Sequence, residues 1–322
     1  MQAVTQHRYG GTETLEVAEV AAPEPGPTDV LVRVRAAGVD RGTWHLMTGT
    51  PYAVRLAFGL RRPKFAVLGR DVAGVVERVG DAVTAVAVGD EVMGTADGSF
   101  AELAVVPEKR IARKPAGVSF AEAAVLPVSG GTALQAVRDA GRVRTGDRVL
   151  VIGASGGVGS YAVQVAAAYG AEVTGVASSS KADLVRSLGA AHVVDYARDD
   201  LDAHSTSYDL VIDLAGLRPI RRLRGLLGER GTLVIAGGEG GDRWLGGAQR
   251  QLLAMALSPF VPQRLTGLMS SEVGADYAEL ADLVERGSVR PTLERTFALQ
   301  EAAKAIDHLT AGHVRGKIAL TV

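Results

Sequence analysis

The stretch that most restricts this chain is VLVIGASGGVGSYAVQVAAAYGAEVTGVA, which begins at Val149. An apolar run ends in a turn of small residues, a helix-length segment follows to Tyr169, and EVTGVA starts a second apolar run. Gly153, Gly156 and Gly159 fall at three-residue spacing, and the GxGxxG pattern also fits with Ala154 in place of its first glycine. Small residues let the chain turn sharply and let backbone N–H groups approach a pyrophosphate, to which a helix N-terminus adds partial positive charge. A ligand-free strand-to-helix turn can carry the same glycines. Here a strand precedes the turn and a helix and second strand follow it, the context in which the pattern reads as dinucleotide binding.

The same alternation runs on from Arg148. After EVTGVA come a helix from Lys181 to Leu188 stopped by Gly189, then HVVDY, YDLVIDLAG, a segment after Pro219, and GTLVIAGG. These strands are continuous apolar runs, so both faces are covered, which argues for a parallel sheet with helices on each side. Residues 1 to 118 read differently. Val30, Val32 and Val34 alternate with Leu31, Arg33 and Arg35, and DVAGVVERVGDAV and VGDEVMGTADGSFAELAVV add strands broken by Gly-Asp and Asp-Gly turns. Residues 50 to 66 read as a loop or short helix, basic at its end. Ser119 with Glu122 makes a capping box where the rhythm changes. The reading is an α/β chain: an antiparallel domain over 1–118, a doubly wound nucleotide-binding domain over 119–264, and a segment 265–322 that returns to the first domain with GKIALTV as its last strand.

Composition narrows the chemistry. The 322 residues include no cysteine, which removes disulfides, thiolate zinc sites and a cysteine nucleophile together. The net charge of −1 offers no field for nucleic acid or an anionic membrane. The N-terminus lacks the apolar run of a signal peptide, and LLAMALSPFV is far short of the roughly 20 residues a membrane span needs. A cytoplasmic protein is expected.

NAD-preferring folds place an acid at the end of the second strand to hold the ribose 2′-hydroxyl. This chain has Ala177, Ser178, Ser179, Ser180 and Lys181 there. No carboxylate of that segment repels a 2′-phosphate, while a lysine and hydroxyls suit one. NADP(H) is the expected cofactor.

Taken in order, DVLVRVRAAGVD, VLGRDVAGVVERVG, VGDEVMG, SFAEAAVLPVSGGTALQAV, VLVIGASGGVGSYAVQVA and VRSLGAAHVVDY resemble the medium-chain dehydrogenase/reductase superfamily, in its zinc-free quinone-oxidoreductase-like branch. The resemblance covers nearly the whole chain. It implies a GroES-like β-rich catalytic domain, a Rossmann domain, an active-site cleft between them and, commonly, a homodimer. By resemblance Ser155, Gly156, Gly157 and Val158 cradle the pyrophosphate, and Ser178, Lys181 and Tyr196 meet the 2′-phosphate. Thr132 approaches the nicotinamide ribose, and Ala215 and Gly237 flank the ribose and carboxamide.

Where zinc members of the family carry a Cys and a His-Glu pair, this chain has Asp40, Arg70 and Asp71, and the four-cysteine lobe is absent. Arginine cannot ligate zinc, so no metal site is expected. Without a Lewis acid, alcohol oxidation loses its usual support, whereas hydride transfer to a quinone or an activated C=C needs less help. Zinc-free relatives usually have Asn at position 40 and a small residue at position 70. The two opposite charges here suggest that Arg70 pairs with Asp40 or Asp71, either as compensated packing or with Asp40 facing nicotinamide or substrate. Tyr52 and His45 are the candidate proton donors, beside Asp40 as catalytic candidates. RLAFGLRRPK is a lid, a basic patch or a plain solvated loop, and GGDRWLGGAQRQLLAMALSPF lines a substrate entrance or a dimer contact through Trp244 and Leu252. The expected function is zinc-independent, NADPH-dependent reduction of a quinone or α,β-unsaturated carbonyl. Two alternatives stand beside it: a carbonyl or imine reductase in which Asp40 recognises a cationic group, and a non-catalytic NADPH-binding sensor or scaffold.

Overall fold

A computed structural model describes residues 1–201, 207–238 and 241–322. The chain forms two compact units, Met1–Gly131 with Glu272–Val322, and Thr132–Ser271.

The first unit is built on antiparallel strands. β1 (Gln2–Thr5) pairs with β2 (Glu16–Glu19), and the larger sheet is organised around β3 (Asp29–Val39). β4 (Asp71–Val79) lies along one edge of β3 and is followed across the sheet by β5 (Glu91–Thr95) and, after β6 (Leu103–Pro107), by β7 (Ile111–Arg113). β6 pairs with the first half of β3, from Asp29 to Arg33. The alternation in β3 holds only locally: Arg33 and Arg35 are exposed, whereas Leu31 and every residue from Ala36 to Val39 are buried. Val30, Val32, Val34, Val72, Val76 and Val106 form one core, and each such side chain contributes about 1.5–3 kcal/mol by leaving water.

The second unit holds a six-stranded, wholly parallel sheet of β8 (Arg148–Ile152), β9 (Glu172–Ala177), β10 (His192–Asp195), β11 (Tyr208–Asp213), β12 (Leu227–Ile235) and β13 (Arg264–Gly267). Its order is β10-β9-β8-β11-β12-β13, the doubly wound Rossmann arrangement. Val149, Leu150 and Val151 are completely buried, as the continuous apolar run requires of a strand covered on both faces. Order reverses between β8 and β11, which places a ligand crevice outside the carboxyl ends of those strands.

The chain then returns to the first unit as β14 (Leu293–Ala298) and β15 (Lys317–Thr321); β15 pairs antiparallel with the second half of β3, Ile318 opposite Val39. The crossings fall at Gly131/Thr132 and Ser271/Glu272, later than the breaks read at 119 and 265. Ser119 does cap the helix Phe120–Ala123 in a full capping box, but that helix packs on β3, β4 and β15, which holds it in the first unit. Among the described residues no helix is long and apolar enough to cross a membrane. The fold is therefore a GroES-like unit with a Rossmann unit.

Candidate active site

In the Rossmann unit the glycine turn does what its composition demands. Gly153 adopts φ +89°, which only glycine takes without strain, and the N–H groups of Gly153 and Ala154 are tied to the Val176 carbonyl at 3.2 and 3.1 Å. A Cβ on Gly159 would overlap the Gly153 carbonyl, so the helix Gly157–Ala168 can approach the turn this closely only without one. Gly156 is the N-cap of that helix and makes no side-chain cap hydrogen bond. The N–H donors of a first turn have no intrahelical partner. This is a cradle for an anion, and it fits a dinucleotide pyrophosphate.

Ala215 and Gly237 lie at the same end of the sheet. Ile152, Asp213 and Ile235 stand level at the ends of β8, β11 and β12. Ala215 follows β11, with its nitrogen 3.5 Å from where a Gly153 Cβ would lie, and a Cβ on Gly237 would overlap the Leu214 carbonyl. Buried Asp213 fixes these turns: Gly216 and Gly237 donate to it, and Arg250 Nη2 pairs with it at 2.7 Å. Thr132 is half-buried on the helix Pro127–Leu134.

Ser178, Lys181 and Tyr196 occupy the corner where β9 and β10 end. Ser178 and Ser180 share a hydrogen bond of 3.1 Å, Lys181 closes a short 3-10 turn, and Tyr196 is exposed with its N–H on the Ala177 carbonyl. The corner also holds a carboxylate. Asp195, level with Ala177 in register, accepts a hydrogen bond from Ser179 Oγ and pairs with Arg198 at 3.7 Å. The absence of an acid holds for β9 alone; β10 supplies one.

In the GroES-like unit the structure corrects the expected pairing of Arg70. Arg70 is held by Asp97 and Glu272, which also lie 3.6 and 3.3 Å from Arg110. Asp40 and Asp71 instead share Lys317, whose Nζ lies 3.7 Å from Asp40 and 3.1 Å from Asp71. Neighbours on an extended chain send their side chains to opposite faces, so Arg70 and Asp71 diverge. β15 meanwhile brings Lys317 beside the end of β3. Lys317 and Asp71 are 246 residues apart, and no local pattern marks either as a partner of the other.

All three groups are buried. Asp40 Oδ1 accepts from Thr43 N at 2.7 Å as cap of the helix Arg41–Thr48, while its Oδ2 faces Lys317 without a hydrogen bond. Asp71 Oδ1 accepts from Val128 N at 2.7 Å. Burial pushes the Asp71 carboxyl up, the Lys317 ammonium pulls it back and the charge of Asp40 raises it again, to about 7.

His45 and Tyr52 lie nearby in sequence but differ in setting. His45 Nδ1 is 2.6 Å from the Thr50 carbonyl, so Nδ1 carries the hydrogen and Nε2 of the neutral ring is an acceptor. Tyr52 is half-buried against Arg55, whose guanidinium sits 4.7 Å from its ring and 4.5 Å from that of Tyr9. The basic segment after Tyr52 forms a short helix, Arg55–Phe58, and a loop. Trp244 and Leu252 are exposed; Gly240 lies outside the described residues.

Comparison with known proteins agrees with this architecture. Residues 26–116 match the alcohol dehydrogenase GroES-like domain and residues 188–320 the zinc-binding dehydrogenase family. A quinone oxidoreductase of Pseudomonas aeruginosa is 32% identical over 97% of both chains. A solved NAD-dependent alcohol dehydrogenase superposes with TM-score 0.86 at 30% identity, covering all of both chains. A mycobacterial protein solved with NADPH superposes with TM-score 0.84 at 27% identity, again over both whole chains. The chain is an oxidoreductase with a nucleotide-binding unit. It belongs to the medium-chain dehydrogenase/reductase superfamily, in the quinone-oxidoreductase-like branch.

Zinc does not fit the residues at the matching positions. Asp40 and Asp71 are engaged by an ammonium, Arg70 by two carboxylates, and no described His, Cys, Asp or Glu cluster has the makings of a metal site.

Proposed function

We propose that this protein is a zinc-independent, NADPH-dependent oxidoreductase that reduces quinones or α,β-unsaturated carbonyls. The observation that carries the reading is the uncapped glycine turn at the switch point of a parallel sheet, beside a corner bearing Lys181 and serine hydroxyls. Backbone N–H groups of Ser155, Gly157 and Val158 hold the pyrophosphate, while that of Gly156 is given to the Gly153 carbonyl at 3.1 Å and shapes the turn. Ser178, Lys181 and Tyr196 hold the 2′-phosphate, Thr132 holds the nicotinamide ribose, and Ala215 and Gly237 leave room for the ribose and carboxamide. When bound, NADPH supplies a hydride. The donor set at Asp40, Arg70 and Asp71 argues against a Lewis acid, so acceptors that are already electron-poor suit the site.

Tyr52 can donate a proton directly. His45 can do so only in its doubly protonated form, because Nδ1–H is committed to Thr50. Asp40 is less suited to recognising a cationic substrate, since its carboxylate caps a helix and faces Lys317. Open edge strand β13, with exposed Leu252, Leu253, Met255, Phe260 and Met269 around it, supports a homodimer of this chain.

The test is oxidation of NADPH and NADH by chelator-treated protein against quinones, enones and ketones. NADPH-preferred turnover of quinones or enones is the expected result. Preference for NADH, loss of activity on chelation restored by zinc, or turnover of ketones alone would overturn it. Tight NADPH binding with no turnover would favour a sensor or scaffold.

A further inference from the structure

Asp195 is the one carboxylate bonded directly into the corner where β9 ends, among the described contacts of Ser178 to Lys181. Its side chain is only 13% exposed, although the turn around it is open to water. Two hydrogen bonds hold it in place, from Ser179 Oγ and from the N–H of Ala197 at 3.0 Å, and Arg198 Nε forms an ion pair with it at 3.7 Å. The Ser179 hydrogen bond, followed by that of Ala197, keeps its carboxyl below the usual aspartate range, so it is an anion at neutral pH. Asp199 adds a second negative group, accepting from the Asp195 N–H at 2.8 Å. Resting on the cofactor reading above, this places an acid close to where a 2′-phosphate would sit, which is the arrangement that ordinarily selects NAD.

We infer that Arg198 is a specificity-determining residue for the dinucleotide, and that it acts by neutralising Asp195 while presenting its guanidinium to the 2′-phosphate. Arg198 offsets Asp195 directly, while Asp199 adds negative charge on the same turn. Without Arg198 the corner carries a net negative charge and repels a phosphate. Arg198 is 79% exposed in its side chain, so its planar fork can reach a ligand without leaving its own turn.

The test is calorimetric binding of NADPH and NADH to the cofactor-free protein and to Arg198→Ala, Arg198→Lys and Asp195→Asn, with thermal melts to establish folding. Arg198→Ala should shift the ratio of NADPH to NADH dissociation constants toward NADH by about tenfold, the scale of one charge-assisted contact. Arg198→Lys should recover part of that shift, and Asp195→Asn should move the ratio the opposite way by a few-fold. The shifts should shrink as salt rises. A wild-type protein that binds NADH more tightly than NADPH would sink the cofactor reading itself. A wild type that prefers NADPH, with an unchanged ratio in folded Arg198→Ala and Asp195→Asn, would overturn the role of Arg198 alone.

Discussion

Lys317 with Asp40 and Asp71 in one unit, and Arg198 with Ser179 and Asp195 in the other, are both small sets of opposite charges, but water reaches only the second. Lys317 is 2% exposed and Asp71 not at all, and their attraction must offset the cost of taking ions out of water. Arg198 lies mostly in solvent, where an ion pair contributes little to stability but can still be repartnered by a ligand. The contrast teaches where each set can act. The buried one joins β4 and β15 beside the end of β3, and the exposed one is open to a ligand.

Removing the buried cation should have the largest effect. Lys317→Met leaves buried Asp40 without a counter-charge and lets Asp71 take up a proton, and chemical denaturation at neutral pH should show a loss of about 3–5 kcal/mol. A loss under 1 kcal/mol would mean that water already reaches the cluster, and the contrast would fail.

The next effect is one of pH. The folded-state pKa of Asp71 is raised, to about 7, above its unfolded value of 3.8. Its contribution to stability is therefore full below about pH 4 and is lost as pH rises through about 7. Melting curves between pH 4 and 8 should show this decline, and Asp71→Asn should flatten it. Asp40→Asn keeps an oxygen to cap Thr43 while removing a charge that raises Asp71, so the decline should end at lower pH.

The smallest effect on stability belongs to the exposed corner. Ser179→Ala and Arg198→Ala should each change unfolding free energy by no more than about 0.5 kcal/mol, as surface substitutions do. A larger change would give the corner a structural role and blur the distinction. Self-association provides a separate measure: replacing Leu252 and Leu253 with arginine should turn a dimer into a monomer in light scattering.

Much of this was legible locally. The strand–turn–helix–strand unit, the capping box at Ser119 and the parallel order all follow from periodicity and glycine placement, which depend on residues a few positions apart. Ser155 to Val158, Ala215 and Gly237 follow strand ends, and a parallel sheet aligns those ends along one edge, which is why their position in the fold could be read from the sequence. Arg70 was misplaced because charge signs in a sequence do not say which face of a strand each side chain takes. Asp195 stands beside Tyr196 in the sequence, but only parallel pairing of β10 with β9 brings it next to Ser179.

By itself, then, the sequence determined the two architectures, the parallel character of the second sheet and the absence of cysteine ligands, because propensity, turn geometry and composition are properties of neighbouring residues or of the chain as a whole. The tertiary structure alone decided that Lys317 joins Asp40 and Asp71, that Glu272 and Asp97 hold Arg70, and that Asp195 enters the nucleotide corner. Those partnerships link positions from 16 to 277 residues apart, and for them an ion's partner is chosen by which strands pack together and how little water remains between them.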